Sequence, residues 1–135
     1  MINTTESTED TEKENRDPLS EKIIGCAIEV HKELGPGLLE SIYENALCKE
    51  LEFKSIAFER QKLLPVSYKG EVVGEYRLDL LVENEIILEL KCVKSLDDIF
   101  TAQLLTYMKI SGVRKGLLVN FNVKKLINGI KRYVL

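Results

Sequence analysis

Glu89 and Lys91 stand two residues apart in IILELKCV, a run that otherwise reads as a buried strand. Side chains at i and i+2 of a strand share a face, so this carboxylate and ammonium project together, while Leu88, Leu90 and Cys92 point the other way. Upstream, YRLDLLV places Asp79 on the opposite arm of a hairpin turning at Glu83-Asn84-Glu85. With that three-residue loop, facing positions have numbers that add to 168, and Asp79 faces Glu89. A two-residue turn would put them on different faces. The three-residue register is favoured because it sends Leu78, Leu80, Val82, Ile86, Leu88 and Leu90 to one uniformly apolar face.

Two facing carboxylates about 5 Å apart repel by about 3 kcal/mol at an effective dielectric of about 20. A shared proton or a divalent cation would relieve that, and a carboxylate pair is a good hard-oxygen site for such a cation. Lys91, next along the same face, has the chemistry to orient or deprotonate a water and to steady developing negative charge. With Mg²⁺ bound, such a group is equipped to hydrolyse a phosphodiester. The competing reading is that Asp79, Glu89 and Lys91 are exposed strand charges.

Two helical pairs accompany the triplet. In GLLESIY, Glu40 and Tyr43 lie three apart on one side of a helix; a solvent-facing Glu beside a core Tyr is the alternative. Gln103 and Tyr107, four apart, share a face of the helix after the Glu-x-Lys strand, where Gln103 also reads as a surface residue. His31 falls on an apolar helical stripe and reads as a hydrogen-bonded core histidine rather than a base.

The elements that must position these residues follow from period and punctuation. Asp17-Pro18 reads as an N-cap and first helical residue, opening a helix to about Leu34 that Gly35-Pro36-Gly37 ends. A second helix is expected from about Leu38 to Lys54, with Leu39, Ile42, Tyr43, Ala46 and Leu47 as its apolar face. Period two then takes over: IAFERQKLLPVSY and EVVGEYRLDLLV read as strands joined at Lys69-Gly70, and Ile86–Val93 as a third. Ser95-Leu96-Asp97-Asp98 fits a capping pattern for a helix ending near Gly112, and KGLLVNF makes a fourth strand. VKKLINGIKRYVL fits a short helix or a strand. The order is α-α-β-β-β-α-β plus a final element. The crossover helix sets the fourth strand parallel to the third in a mixed sheet.

At 135 residues, 44% hydrophobic and 30% charged, the chain is expected to form one domain, 18–135, behind a disordered acidic tail, 1–17. No window holds the ~18 apolar residues of a membrane span, and the N-terminus lacks the pattern of a signal peptide, so a cytoplasmic location is expected. Cys26, Cys48 and Cys92 are odd in number, lack zinc spacing and read as small core residues. The net charge of −3 is unevenly spread. Residues 1–17 hold six acids and two bases, a net of −4, leaving +1 for the rest. From Ile99 onward there are no acids and seven bases: Lys109, Arg114, Lys115, Lys124, Lys125, Lys131 and Arg132. Such a bias is compatible with phosphate contacts or with a solvated lysine face. Lys109, Arg114, Lys115, Lys124 and Lys125, with Tyr43 and Tyr107, are candidate substrate contacts.

VHKELGPGLLESIYENAL, YRLDLLVENEIILELK, AQLLTYMKISGVRKGLLVNF and GIKR together resemble the GxxExxY family, placed within the PD-(D/E)XK nuclease superfamily. The resemblance spans about residues 20–133. It rests on Gly37, Glu40 and Tyr43, then Asp79, Glu89-Leu90-Lys91 and Gln103; Leu78 stands where that superfamily's signature has Pro. It implies an α/β fold with a restriction-endonuclease-like αβββαβ core, a mixed central sheet flanked by helices. It also implies that Asp79 and Glu89 are Mg²⁺ ligands, with Mn²⁺ an expected substitute, and that Lys91 positions the attacking water. Glu40 would complete the metal shell, with water as an allowed intermediary, and Gln103 would hold the nucleophile or a phosphate. The expected activity is metal-dependent cleavage of nucleic acid, DNA before RNA, by a chain that gains reach as a homodimer. The rivals are a catalytically silent nucleic-acid-binding module and a protein-interaction domain on the same fold.

Overall fold

The computed structural model describes residues 17–135. The expected acidic tail therefore falls, apart from Asp17, outside the described residues. Asp17 itself belongs to the fold: its carboxylate accepts from the Ser20 N–H at 2.8 Å and caps helix α1 (Pro18–Leu34). Gly35, at φ 67, ends that helix by donating its N–H to the His31 carbonyl. Helix α2 (Glu40–Phe53) follows. Strands β1 (Phe58–Tyr68) and β2 (Glu71–Val82) form a long antiparallel hairpin turning at Lys69-Gly70, and β3 (Ile86–Lys91) pairs back on β2. Helix α3 (Asp98–Ser111) crosses over to β4 (Lys115–Asn120), parallel to β3, and β5 (Ile130–Val134) closes the far edge antiparallel to β4.

The sheet order β1-β2-β3-β4-β5 makes a mixed five-stranded sheet with a helical layer on each face. Ile23, Ala27 and Val30 of α1 and Tyr43, Leu47 and Leu51 of α2 pack on Leu80, Val82, Ile86, Leu88 and Leu90. Leu104, Tyr107 and Met108 of α3 pack on Ile87, Leu118 and Tyr133 behind the sheet. Each fully buried Leu, Ile or Val contributes about 1.5–3 kcal/mol, which is why β3, covered on both faces, is apolar on both except where Glu89 and Lys91 sit. This is the mixed α/β core expected from the sequence.

The hairpin register also holds: Leu80↔Leu88, Leu81↔Ile87 and Val82↔Ile86 pair around the Glu83-Asn84-Glu85 loop. Other expectations need correction. Leu78 packs with Leu64, Leu81 and Tyr107 on the α3 side, because the β1–β2 ladder is interrupted opposite Asp79 and the strand turns over there. Leu39 is 70% and Ile42 40% exposed, so the covered face of α2 is Tyr43, Glu44, Leu47, Cys48 and Leu51, one residue round from the expected stripe. Helix α3 starts at Asp98 rather than Ser95, since the Ser95 hydroxyl is spent on the Asp97 carboxylate at 3.0 Å. The ambiguous C-terminal stretch is both things in turn, a 3-10 helix (Leu126–Gly129) and then β5.

Candidate active site

Strands β2 and β3 part company after Leu80↔Leu88, while β3 stays paired on its other side with β4 as far as Lys91↔Asn120. At the split, the main-chain ladder is replaced by two reciprocal side-chain bonds. The Asp79 N–H donates to Glu89 Oε2 at 2.9 Å, and the Leu90 N–H donates to Asp79 Oδ2 at 2.8 Å. The two carboxylates thus face each other across the hairpin. Each satisfies a backbone donor orphaned by the split, which is how the sheet tolerates them.

Their electrostatics are those of an under-neutralised cluster. Glu89 is only 6% exposed. Burial, reinforced by the charges of Asp79 and Glu40, pushes its carboxyl up to about 8; the Asp79 N–H and Lys91 pull the other way. Burial also raises Asp79, as does Glu44, against the Leu90 N–H and Lys91. Glu40, raised by burial and by Asp79, is held down by Lys91 too. Among the described residues, Lys91 is the one ammonium acting on all three carboxylates. Its Nζ rests 5.1 Å above the Phe100 ring of α3, with the alkyl stem half-buried.

Glu40 owes its place to the loop before α2. The Tyr43 hydroxyl donates to the Gly35 carbonyl and accepts from the Leu38 N–H at 3.2 Å, while its ring stacks on Phe121 at 4.5 Å. Tyr43 is fully buried, so it holds the Gly35–Leu39 loop and has no face for a substrate, contrary to the expected contact. On α3, Phe100, Gln103 and Tyr107 follow one helical stripe. Tyr107 packs against Tyr76 at 4.8 Å, and its hydroxyl is pushed up to about 12 by burial and then by Glu89. Gln103, half-buried, lies between the residue under Lys91 and the residue that feels Glu89.

The basic residues divide. Lys115 pairs with Asp17 at 3.1 Å, Arg114 donates to the Leu135 carbonyl, and Arg132 lies 3.6 Å from Glu21. Lys115 stands opposite Ile86, five residues and roughly 16 Å along the strands from Lys91. These bases tie the fold together away from the carboxylates and are not brought to the site. Lys109 is exposed on the last turn of α3. Lys124 and Lys125 are exposed on the loop that leaves β4 at the Lys91 end, where the Phe121 N–H donates to the Lys91 carbonyl. His31 Nε2 bonds the Val123 carbonyl at 2.8 Å and so secures that loop, as a core histidine would. The three cysteines are free.

The site also contains residues the sequence did not single out. Glu44 is buried beside Asp79 and Glu40, bonded by Arg60 and Gln61. Its only signal was its place four residues after Glu40, on the same helix face. Asn120 clamps the backbone after Lys91 through both the N–H and the carbonyl of Val93. Among the described residues, no three carboxylate, imidazole or thiolate groups already form a closed cation cage. The donor set nonetheless suits a hard divalent ion: two facing carboxylates, each with one oxygen on a backbone N–H, and excess negative charge that Lys91 alone does not cancel.

Among the described residues no helix is long and apolar enough to cross a membrane. No curated protein and no solved structure matches the chain significantly. The family model of the PD-(D/E)XK nuclease superfamily matches residues 17–133, taking in the β2–β3 split, Lys91, Gln103 and Glu40. The chain belongs to the PD-(D/E)XK nuclease superfamily.

Proposed function

We propose that this protein is a metal-dependent nuclease hydrolysing phosphodiester bonds of nucleic acid, with DNA as the substrate. The observation that carries this reading is the pairing of half-buried Asp79 with buried Glu89 at the β2–β3 split, with Lys91 on the same face. Asp79 and Glu89 would hold Mg²⁺ or Mn²⁺ between them, with Glu40 completing the shell from the first turn of α2 through water. A bound ion of this kind supplies Lewis-acid polarisation of the phosphate and a water acidified toward neutrality.

The chain's own groups do the rest. Lys91, braced on Phe100, orients the water and offsets charge on the phosphate as phosphorus becomes five-coordinate. Gln103, on the same wall, holds that water or a phosphate oxygen. Exposed Lys124 and Lys125 meet the backbone of the strand being cut. Gly37, Glu40 and Tyr43 support placing the chain in the GxxExxY branch: Gly37 sits at φ 100 in the loop that Tyr43 pins ahead of Glu40. A cytoplasmic homodimer completes the proposal.

The direct test is the thermal stability of wild type and Asp79→Asn with Mg²⁺, Mn²⁺ or Ca²⁺. An ion at a hundred times its Kd stabilises by about 2.7 kcal/mol, several degrees for a domain of this size. Wild type is expected to gain this and Asp79→Asn to lose most of it. An equal gain in both places the cation elsewhere and removes the reading.

A further inference from the structure

We propose that Gln61 is a positioning residue, aimed by a kink in β1 to lock the Asp79 carboxylate through Glu44; the inference rests on the metal-centre reading above. The β1–β2 ladder runs Arg60↔Leu80, then Lys62↔Leu78, and skips the pair between them, Gln61 and Asp79. Gln61 takes φ 51, a left-handed conformation that strains a non-glycine residue in an otherwise extended strand.

Here the re-aimed group is an amide with two hydrogens. Gln61 Nε2 donates one to Glu44 Oε1 at 2.9 Å. Gln61 stands opposite Asp79 in the skipped pair, and its amide reaches toward the Asp79 carboxylate. Glu44 in turn is immobilised: Arg60 Nε and Nη2 both donate to its Oε2, at 3.1 and 2.8 Å, and Nη2 also donates to Asn45 Oδ1. The chain Arg60–Glu44–Gln61–Asp79 therefore runs from the edge strand through α2 to the cation site. It gives Asp79 a support from β1 across the skipped pair. Arg60 pairs with Glu44 and holds this buried carboxylate as the acceptor for Gln61, while its remaining charge still acts on Asp79.

A simple clamp between α2 and β1 would use the same contacts, and metal affinity separates the two. Free Mn²⁺ is counted by electron paramagnetic resonance during titration of the full chain, well below each variant's melting temperature. Gln61→Gly removes the amide and relieves the left-handed strain; Gln61→Met removes the amide but keeps the length and the strain. Both are expected to bind Mn²⁺ roughly ten- to a hundredfold more weakly, the usual loss when a group supporting a metal ligand is removed. Asp79→Asn runs alongside. If it loses the ion while either Gln61 variant binds within twofold of wild type, Gln61 is a clamp and the positioning role is overturned. If Asp79→Asn itself binds as wild type, the metal-centre reading fails first and takes this one with it.

Discussion

Glu89 is the residue on which the electrostatics turn. In the unfolded chain it titrates near its ordinary value of about 4.3, whereas burial and the neighbouring carboxylates raise it to about 8 in the fold. Between those values the folded protein keeps a proton that the unfolded chain has lost. The stabilisation this brings is complete below the unfolded value and is lost as pH rises through about 8. The metal-free protein is therefore expected to lose roughly 5 °C or more of melting temperature between pH 5 and pH 8.5, and Glu89→Gln to flatten that slope. A wild-type profile as flat as the variant's would deny the buried pair. A cation binding there must displace the proton, so calorimetry at pH 7 in buffers of different ionisation enthalpy should show about one proton released. Much of this was legible in the sequence. Period two and a three-residue loop bring Asp79 opposite Glu89 by arithmetic alone. Glu44 was not legible, because a glutamate on a helix ordinarily faces water, and nothing in ERQKL announces that Gln61 turns left-handed.

At the scale of elements, the site depends on two pieces of loop architecture. Tyr43→Phe removes the hydroxyl that bridges Gly35 and Leu38 and leaves the half-buried Gly35 carbonyl without that donor, so urea denaturation is expected to show a loss of about 0.5–1.5 kcal/mol. An unchanged midpoint would mean the loop ahead of Glu40 is not held from Tyr43. Gly129, where the 3-10 helix enters β5, has no room for a side chain: a Cβ there would lie 2.3 Å from the Asn120 carbonyl oxygen. Gly129→Ala must push β5 from the end of β4 and disturb Asn120, the residue that clamps Val93. The expected cost is at least about 1–3 kcal/mol. Helix α1 was readable because both its signals are local, an Asp-Pro start and a glycine stop. The start of α3 and the covered face of α2 were not, because each is decided by a competitor: Asp97 takes the Ser95 hydroxyl, and the sheet covers Tyr43 and Leu47 while leaving Leu39 and Ile42 in water.

Across the whole molecule, the basic C-terminal third resolves into two populations that composition could not separate. Lys115 and Arg114 are tied to Asp17 and the Leu135 carbonyl at one end of the parallel strands; Lys124 and Lys125 have no such ties among the described residues, at the end where Lys91 lies. DNA affinity, measured by anisotropy in Ca²⁺, should therefore fall in Lys124→Ala/Lys125→Ala, with the salt dependence shallower by about 0.9 per lost phosphate contact. Lys115→Ala should keep the salt slope and lose at most about 1 kcal/mol of stability. The reverse pattern would move the substrate to the other end of the sheet. The central claim, that Asp79, Glu89 and Lys91 together cut phosphodiesters, is tested most directly by cleavage itself. Supercoiled, linear, branched and single-stranded DNA, with RNA alongside, are incubated with Mn²⁺ and wild type, Asp79→Asn or Lys91→Ala. Wild type is expected to cleave a DNA substrate, with both variants slower by about a hundredfold or more. Cleavage at the wild-type rate by Lys91→Ala, or none by wild type on any substrate, would contradict it.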